Sequence, residues 1–173
     1  MSGALSRTGM SRPFDQKRDG FIIGEGGGAL ILETEEHAVK RGATIHAELL
    51  GCANNTDAFN PVAPDPDGIG AAECMRLALK QANLEPEDIG YINAHGTATT
   101  KGDIAECFAI RTVFDSYDVP VSSTKGATGH LMGAGGITEC IACIKALETG
   151  ILPPTINCDE IDPECNVQII AEK

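Results

Sequence analysis

The feature that most constrains the fold is an alternation of short apolar segments with helical patterns between residues 89 and 149. Residues 89–94 and 119–123 have the apolar, β-branched composition of buried strands. Residues 103–114 and 131–149 instead space their apolar side chains as a helix does. Strands separated by helices of this length are joined by right-handed crossovers into a sheet that helices cover. The sequence therefore predicts an α/β fold.

Weaker patterns flank this alternation. Residues 20–33 hold two β-prone stretches around a glycine cluster, which is typical of a hairpin, and residues 45–52 predict another strand. The other predicted elements are a helix over residues 35–41 capped by Thr34, a polar loop over residues 54–67, a helix from Asp67 as N-cap to about Ala82, a turn or helix start at Pro86, and a weak strand over residues 167–170.

The charge balance excludes several classes of function. Thirteen Lys and Arg residues against 25 Asp and Glu residues give the 173-residue chain a net charge of −12. A surface this acidic repels nucleic-acid phosphates and anionic lipid. The sequence also contains neither an apolar run of transmembrane length nor a signal peptide at its N-terminus. We therefore expect a cytoplasmic protein that binds neither nucleic acid nor membrane.

Seven cysteines, an odd number without a secretory signal, indicate reduced thiols rather than a disulfide framework. Cys140 and Cys143 form a CxxC pair, but neither a second pair nor a nearby histidine completes a zinc site. The isoleucines around them predict a buried helix in which cysteine serves as a small apolar residue. No metal site is expected.

A GxGxxA pattern at Gly24, Gly26 and Ala29 is similar to a dinucleotide-binding fingerprint. That fingerprint requires a helix directly after the glycines, because the helix amides bind the pyrophosphate. The residues that follow here, ALILE, predict a strand. A glycine hairpin is therefore the favoured interpretation.

Two histidines occupy equivalent places after successive predicted strands. His95 lies in NAHGTATTKGD and His130 in VSSTKGATGHLMGAGG. Because the carboxyl ends of parallel strands meet at one edge of a sheet, we expect the two side chains to share a site. Neutral imidazoles are good donors to a developing oxyanion, so such a pair suits enolate chemistry. A hydrogen-bonded structural histidine is the alternative for either residue taken alone.

Charged side chains accompany both histidines. Lys125 precedes His130 by five residues, and Asp103 and Glu106 lie three residues apart on one face of the next predicted helix. We expect Lys125 to pair with Glu106 or Asp103 at the base of the site. An ordinary surface ion pair is the alternative.

These segments resemble the β-ketoacyl-acyl-carrier-protein synthases, the elongating condensing enzymes. The resemblance covers nearly the whole chain, through SRPFDQKRDGFIIGEGGGALILE, YINAHGTATTKGDIAE, VPVSSTKGATGHLMGAGG and ILPPTIN. It implies a thiolase-like fold that is incomplete and consists mostly of the second half. Residues 1–33 would be the end of the N-terminal half, and residues 34–173 the C-terminal half without its last strands.

The resemblance also implies a reaction, the decarboxylative Claisen condensation of an acyl thioester with a malonyl thioester in fatty-acid or polyketide synthesis. The malonyl group arrives on the phosphopantetheine of an acyl carrier protein, the intact enzyme is a homodimer, and no metal or redox cofactor is needed. The implied roles are active-site histidines for His95 and His130, site lysine for Lys125, supporting carboxylates for Asp103 and Glu106, and phosphopantetheine contacts for Thr97 and Thr99.

Several departures from the family pattern limit this expectation. The family's nucleophilic cysteine lies upstream of the segment that resembles it, and the nearest candidate, Cys52, leads into a Pro-rich loop rather than a helix N-terminus. Gly126 and Val62 stand where serine and threonine are common in the family. We therefore expect the chain to be inactive alone. A noncatalytic partner or scaffold subunit is the alternative, which the retained His95 and His130 disfavour.

A basic cluster near the N-terminus has two interpretations. Arg7, Arg12, Lys17 and Arg18 could belong to a docking patch for the acidic carrier protein. The same stretch could equally form a structural turn.

Overall fold

The computed structural model describes residues 4–61 and 63–171. Its helices are α1 (Glu35–Lys40), α2 (Ile69–Ala82), α3 (Thr100–Phe114), α4 (Lys125–Thr128) and α5 (Gly135–Thr149), with single 3₁₀ turns at Pro86–Asp88 and Met132–Ala134. Its strands are β1 (Ile92–Asn93), β2 (Pro120–Ser122) and β3 (Gln168–Ile169). None of the helices in the described residues is long and apolar enough to cross a membrane.

The three strands form a parallel sheet in the order β1-β2-β3. Ile92 lies opposite Val121, and Val121 lies opposite Ile169 on the other side. Helix α3 is the crossover from β1 to β2, and α5 lies in the connection from β2 to β3. The predicted α/β alternation is therefore confirmed, with strands shorter than the sequence suggested.

One hydrophobic core joins α3 to the sheet. Ile110 and Phe114 of α3 are buried with Val121 of β2 and with Phe14 from the N-terminal segment. Helix α2 packs on α3, and Gly68 allows the close approach, because a Cβ there would lie 2.6 Å from the carbonyl oxygen of Ala105. Because β1 and β2 are parallel neighbours, their carboxyl ends lie at the same edge of the sheet.

Two predicted strands are absent from the described residues. Residues 24–34 and 43–53 form no ladder, and Ile31 and Leu49 are 86% and 70% exposed. A β-prone segment becomes a strand only by pairing with a neighbour. The described residues offer these two segments no such neighbour, so the hairpin and the 45–52 strand were wrong for this chain.

Helix ends follow local chemistry where side chains act as caps. The predicted cap at Thr34 is confirmed, since its hydroxyl accepts from the amide of His37 at 3.3 Å. The predicted cap at Asp67 is wrong by one residue, because Gly68 occupies that place with φ of 61°. Helix α5 begins at Gly135 rather than at residue 131, because the 3₁₀ turn comes first.

Candidate active site

The two histidines after β1 and β2 meet edge to face. The ring centroids of His95 and His130 are 5.3 Å apart, with an interplanar angle of 87°. The backbone of His130 is held by Ile22, whose carbonyl accepts from the His130 amide at 2.7 Å. Phe21 packs its ring edge to face against His130, at a centroid distance of 5.2 Å. The structure thus brings together the two residues that the sequence placed on equivalent turns.

Both imidazoles line a cavity of about 390 Å³. The side chains of Thr97 and Thr99 line the same cavity, and their hydroxyl oxygens are 3.2 Å apart. A volume of this order fits an extended small-molecule arm rather than a single ion. None of the described residues that line it is a cysteine.

Glu106 holds the backbone of the loop that carries His95. Its two carboxylate oxygens accept from the amides of His95 and Gly96, each at 2.7 Å. Gly96 has φ of 33°, and a Cβ there would lie 2.6 Å from Ser123 and 2.9 Å from the ring of Phe14. Desolvation raises the pKa of Glu106, whereas the two amide donors lower it. Glu106 therefore fixes the shape of the loop, and the positive charge of Lys125 also lowers its pKa.

Lys125 is buried, and its Nζ forms an ion pair with Glu139 of α5. The expected pairing with Glu106 or Asp103 was wrong. Both carboxylates have other partners, since the Asp103 Oδ2 accepts from the Phe14 amide at 2.9 Å and lies 3.8 Å from Arg18 Nε. Sequence reasoning missed Glu139. The sequence indicates this partner only weakly, because Glu139 lies fourteen positions after Lys125 and belongs to a separate helix.

The surroundings of the histidines favour their neutral forms. Desolvation lowers the pKa of His95, and the positive charge of Lys125 lowers it further. Desolvation also lowers the pKa of His130, with contributions from His95 and Lys125. The Nδ1 atom of His130 is buried and has no hydrogen-bond partner among the described residues. Each neutral ring can donate one N–H, so the pair can provide two donors to one oxygen in the cavity.

The basic cluster near the N-terminus divides by exposure, since Arg18 is buried whereas Arg7 and Lys17 are exposed. Arg18 is 5% exposed and pairs with Asp162 at 2.6 Å, so it cannot belong to a docking patch. Phe14 and Asp15 are fully buried beside it. Arg12 remains at the rim, paired with Asp159 at 3.2 Å. The structure therefore gives Arg18 a structural role, and a docking patch that includes the exposed Arg7 and Lys17 stays a prediction.

The remaining sequence signals carry no further chemistry in the described residues. The CxxC pair lies on α5 as predicted, although Cys140 is exposed rather than buried, and no group of metal-ligating side chains forms in residues 4–61 and 63–171. A Cβ on Gly126 would lie 2.5 Å from the Ile156 carbonyl oxygen, which explains the glycine there. Val62 lies outside the described residues.

Two family models match the chain. "Beta-ketoacyl synthase, C-terminal domain" matches residues 46–159, and "Beta-ketoacyl synthase, N-terminal domain" matches residues 1–38.

Curated relatives are similar over almost the entire chain. The sequence is 48% identical to "3-oxoacyl-[acyl-carrier-protein] synthase 2" of Synechocystis sp., over 92% of this chain and 39% of that protein. It is 45% identical to "3-oxoacyl-[acyl-carrier-protein] synthase I, chloroplastic" of Hordeum vulgare, over 94% of this chain and 35% of that protein. The chain thus spans less than two fifths of the length of these relatives.

Solved structures match the fold closely. "The ishigamide ketosynthase/chain length factor" superposes with a TM-score of 0.93 at 44% identity, over 98% of this chain and 41% of that one. A complex described as a "type II PKS acyl-carrier protein in complex with its ketosynthase bound to the hexaketide" superposes with a TM-score of 0.95 at 39% identity, over 99% and 44%. These matches confirm the predicted thiolase-like fold and its partial extent.

Proposed function

Because the chain belongs to the β-ketoacyl synthase family, we propose that it forms the part of a 3-oxoacyl-[acyl-carrier-protein] synthase that activates the malonyl thioester. The observation that carries this proposal is the meeting of His95 and His130 on one cavity, with ring centroids 5.3 Å apart. The reaction is a decarboxylative Claisen condensation in fatty-acid or polyketide synthesis.

The two histidines act on the first step. The carbonyl oxygen of the malonyl thioester accepts an N–H from His95 and another from His130. The bond to the carboxylate carbon breaks, CO₂ leaves, and the released electron pair forms an enolate whose charge lies largely on that oxygen. Donors that bind the enolate more strongly than the thioester lower the barrier to decarboxylation. The lowered pKa values keep both rings neutral near pH 7, so that no proton is lost to the enolate.

The second step needs a thiol that this cavity lacks. The enolate carbon attacks the carbonyl of an acyl thioester, a C–C bond forms, and the acyl–sulfur bond breaks to release a thiolate. Burial raises the pKa of Cys143, and raises that of Cys158 to about 12, which makes both thiols poor nucleophiles. Because no cysteine lies among the described residues that line the cavity, we assign the acyl-bearing cysteine to another part of the synthase, upstream of these residues.

An acyl carrier protein is the proposed partner, with its phosphopantetheine arm in the cavity against Thr97 and Thr99. The structural relative in complex with an acyl-carrier protein supports this choice. The proposed reaction needs no metal or redox cofactor, since loss of CO₂ supplies the electron pair. A homodimeric intact enzyme and a cytoplasmic location remain proposals, and the Hordeum vulgare relative is named chloroplastic.

The noncatalytic alternative has one observation in its favour. A matching structure is described as a ketosynthase/chain length factor. A noncatalytic subunit has no need of the buried Lys125–Glu139 pair or of two neutral imidazoles on one cavity. Their presence together favours the catalytic function.

The test supplies the purified chain with acyl and malonyl carrier proteins and follows both protein and product by mass spectrometry. We expect no acyl adduct on any of the seven cysteines, and a product extended by two carbons only when the N-terminal portion of a synthase is added. An acyl adduct together with product from the chain alone would overturn the assignment of the thiol. Absence of product even with the added portion would favour the noncatalytic subunit.

A further inference from the structure

The buried turn over residues 13–20 contacts the loop that lines the cavity at three points. The Phe14 amide donates to Asp103 at 2.9 Å, and the Gly20 amide donates to the Ala98 carbonyl at 2.9 Å. Between them lies Arg18, whose side chain is 1% exposed. The turn therefore follows the loop from Gly96 to the start of α3 closely.

The guanidinium of Arg18 binds the backbone at the start of α3, at the carbonyls of Thr99 and Thr100. Its Nε donates to the Thr99 carbonyl at 3.3 Å, and one terminal nitrogen donates to the Thr100 carbonyl at 2.9 Å. The other terminal nitrogen donates to the Asp15 carbonyl at 2.9 Å and to Asp162 at 2.6 Å. Only a planar fork with several N–H groups can bind all of these acceptors together.

Stabilisation of the helix does not account for this residue. Arg18 lies at the N-terminus of α3, where the helix dipole disfavours a positive charge. Its charge is compensated by Asp162, and Asp103 lies 3.8 Å away. A buried arginine with its own counter-ion at the unfavourable end of a helix indicates a task beyond helix formation.

The conformation of the loop points to that task. Ala98, between the two threonines, is fully buried with φ of 65°, a conformation that a residue with a side chain rarely adopts. Such a backbone persists only where its surroundings hold it. Gly20 on one side and Arg18 on the other supply those contacts.

We propose that Arg18 is a positioning residue that holds the backbone of Thr99 so that its hydroxyl faces the cavity, and so sets the affinity for a pantetheine thioester. This inference rests on the proposed function of the cavity. It assigns Arg18 an effect on binding of the arm, distinct from the effect of the histidines on decarboxylation.

The first experiment measures the dissociation constant of malonyl-pantetheine for the chain by calorimetry. Arg18→Lys keeps the charge but loses the fork, and we expect about tenfold weaker binding, as for a lost charge-assisted hydrogen bond. Arg12→Lys, in the exposed pair with Asp159, is the matched control and should bind as the unmodified chain does. No binding by the unmodified chain, even with the N-terminal portion of a synthase added, would overturn the proposed function, and this inference with it.

The second experiment separates positioning from general loosening of the structure. Thr99→Val removes one hydroxyl, and if Arg18 acts through it, Arg18→Lys should weaken binding little further in that background. Equal binding by Arg18→Lys and Arg12→Lys, or additive losses in the double variant, would overturn the inference while leaving the proposed function intact. Asp162→Asn, which keeps Arg18 in place but loosens it, should weaken binding in the same direction by a smaller factor if Arg18→Lys fails to fold.

Discussion

At the scale of single residues, the electrostatics of His95 and His130 decide whether they can act as neutral donors. Desolvation and the nearby Lys125 lower the pKa of both rings. Because the folded-state pKa of each ring lies below its unfolded value, each ring contributes to the free energy of unfolding above about pH 6.5. That contribution is lost as the pH falls through the folded pKa. Both rings therefore resist protonation more than a free histidine does as the pH falls.

An NMR titration of the histidine rings tests this account. We expect the midpoints of His95 and His130 to lie below 6.5, and Lys125→Met to raise the midpoint of His95 because a positive charge is removed. Lys145→Met, which removes a surface lysine paired with Glu148, is the control and should leave both midpoints unchanged. Midpoints above 6.5 would show that the site raises the pKa of these rings rather than lowering it, and would contradict the assigned role.

Asp103 gives a second prediction at this scale. Burial raises its pKa to about 7, with a smaller contribution from Glu106, against the lowering effects of the Phe14 amide and Arg18. The folded state therefore binds a proton more tightly than the unfolded state, and this stabilisation is lost as pH rises through about 7. Urea titrations from pH 5 to 7 measure how the free energy of unfolding changes with pH. The unmodified protein should show a slope of up to about 1.4 kcal/mol per pH unit that Asp103→Asn removes. Identical slopes in both proteins would place the pKa of Asp103 outside this window.

At the scale of elements, the turn after β1 depends on the absence of a side chain at Gly96. A Cβ there would meet Ser123 at 2.6 Å and Phe14 at 2.9 Å, so Gly96→Ala should lower the free energy of unfolding by about 1–3 kcal/mol through overpacking. Gly136→Ala in α5, where nothing lies within 4 Å, should instead raise it by about 0.5–1 kcal/mol. Denaturant unfolding of the two variants measures both signs, and a tolerated Gly96→Ala would refute the tight packing of the loop.

Prediction from sequence succeeded for elements whose signal is local. The spacing of apolar residues predicts helices α3 and α5, and the apolar composition predicts strands β1 and β2. The edge where His95 and His130 meet could therefore be inferred. The strand prediction for residues 24–34 was wrong because a strand depends on a neighbouring strand, which the composition of the segment does not reveal. The Lys125–Glu139 pair and the contacts of Arg18 could not be predicted for a related reason. Both depend on how distant segments pack together.

At the scale of the whole molecule, unpaired apolar surface is the main liability of the isolated chain. Ile31, Leu32, Leu49 and Leu147 are all at least 70% exposed. Apolar surface of this kind, on the segments around Ile31 and Leu49 and on helix α5, favours association. We expect concentration-dependent self-association in analytical ultracentrifugation.

Paired variants locate that association. Leu49→Lys and Leu147→Lys should each weaken it about tenfold or more, in line with the loss of a buried leucine from an interface. Thr112→Lys adds the same charge at an exposed polar position of α3 and should leave the association unchanged. A chain that stays monomeric at high concentration would show that this surface is tolerated in water.

The central claim is that His95 and His130 jointly stabilise the enolate formed from a malonyl thioester. Release of CO₂ from malonyl carrier protein by a complete synthase containing these 173 residues tests it most directly. His95→Ala and His130→Ala should each slow the release by roughly 10²-fold or more, as for one oxyanion donor. The double variant should fall short of the product of the two losses, since both donors share one oxygen, and His46→Ala, at an exposed pair with Glu148, should leave the rate unchanged. Near-normal CO₂ release by His130→Ala would assign that histidine a structural role and contradict the claim.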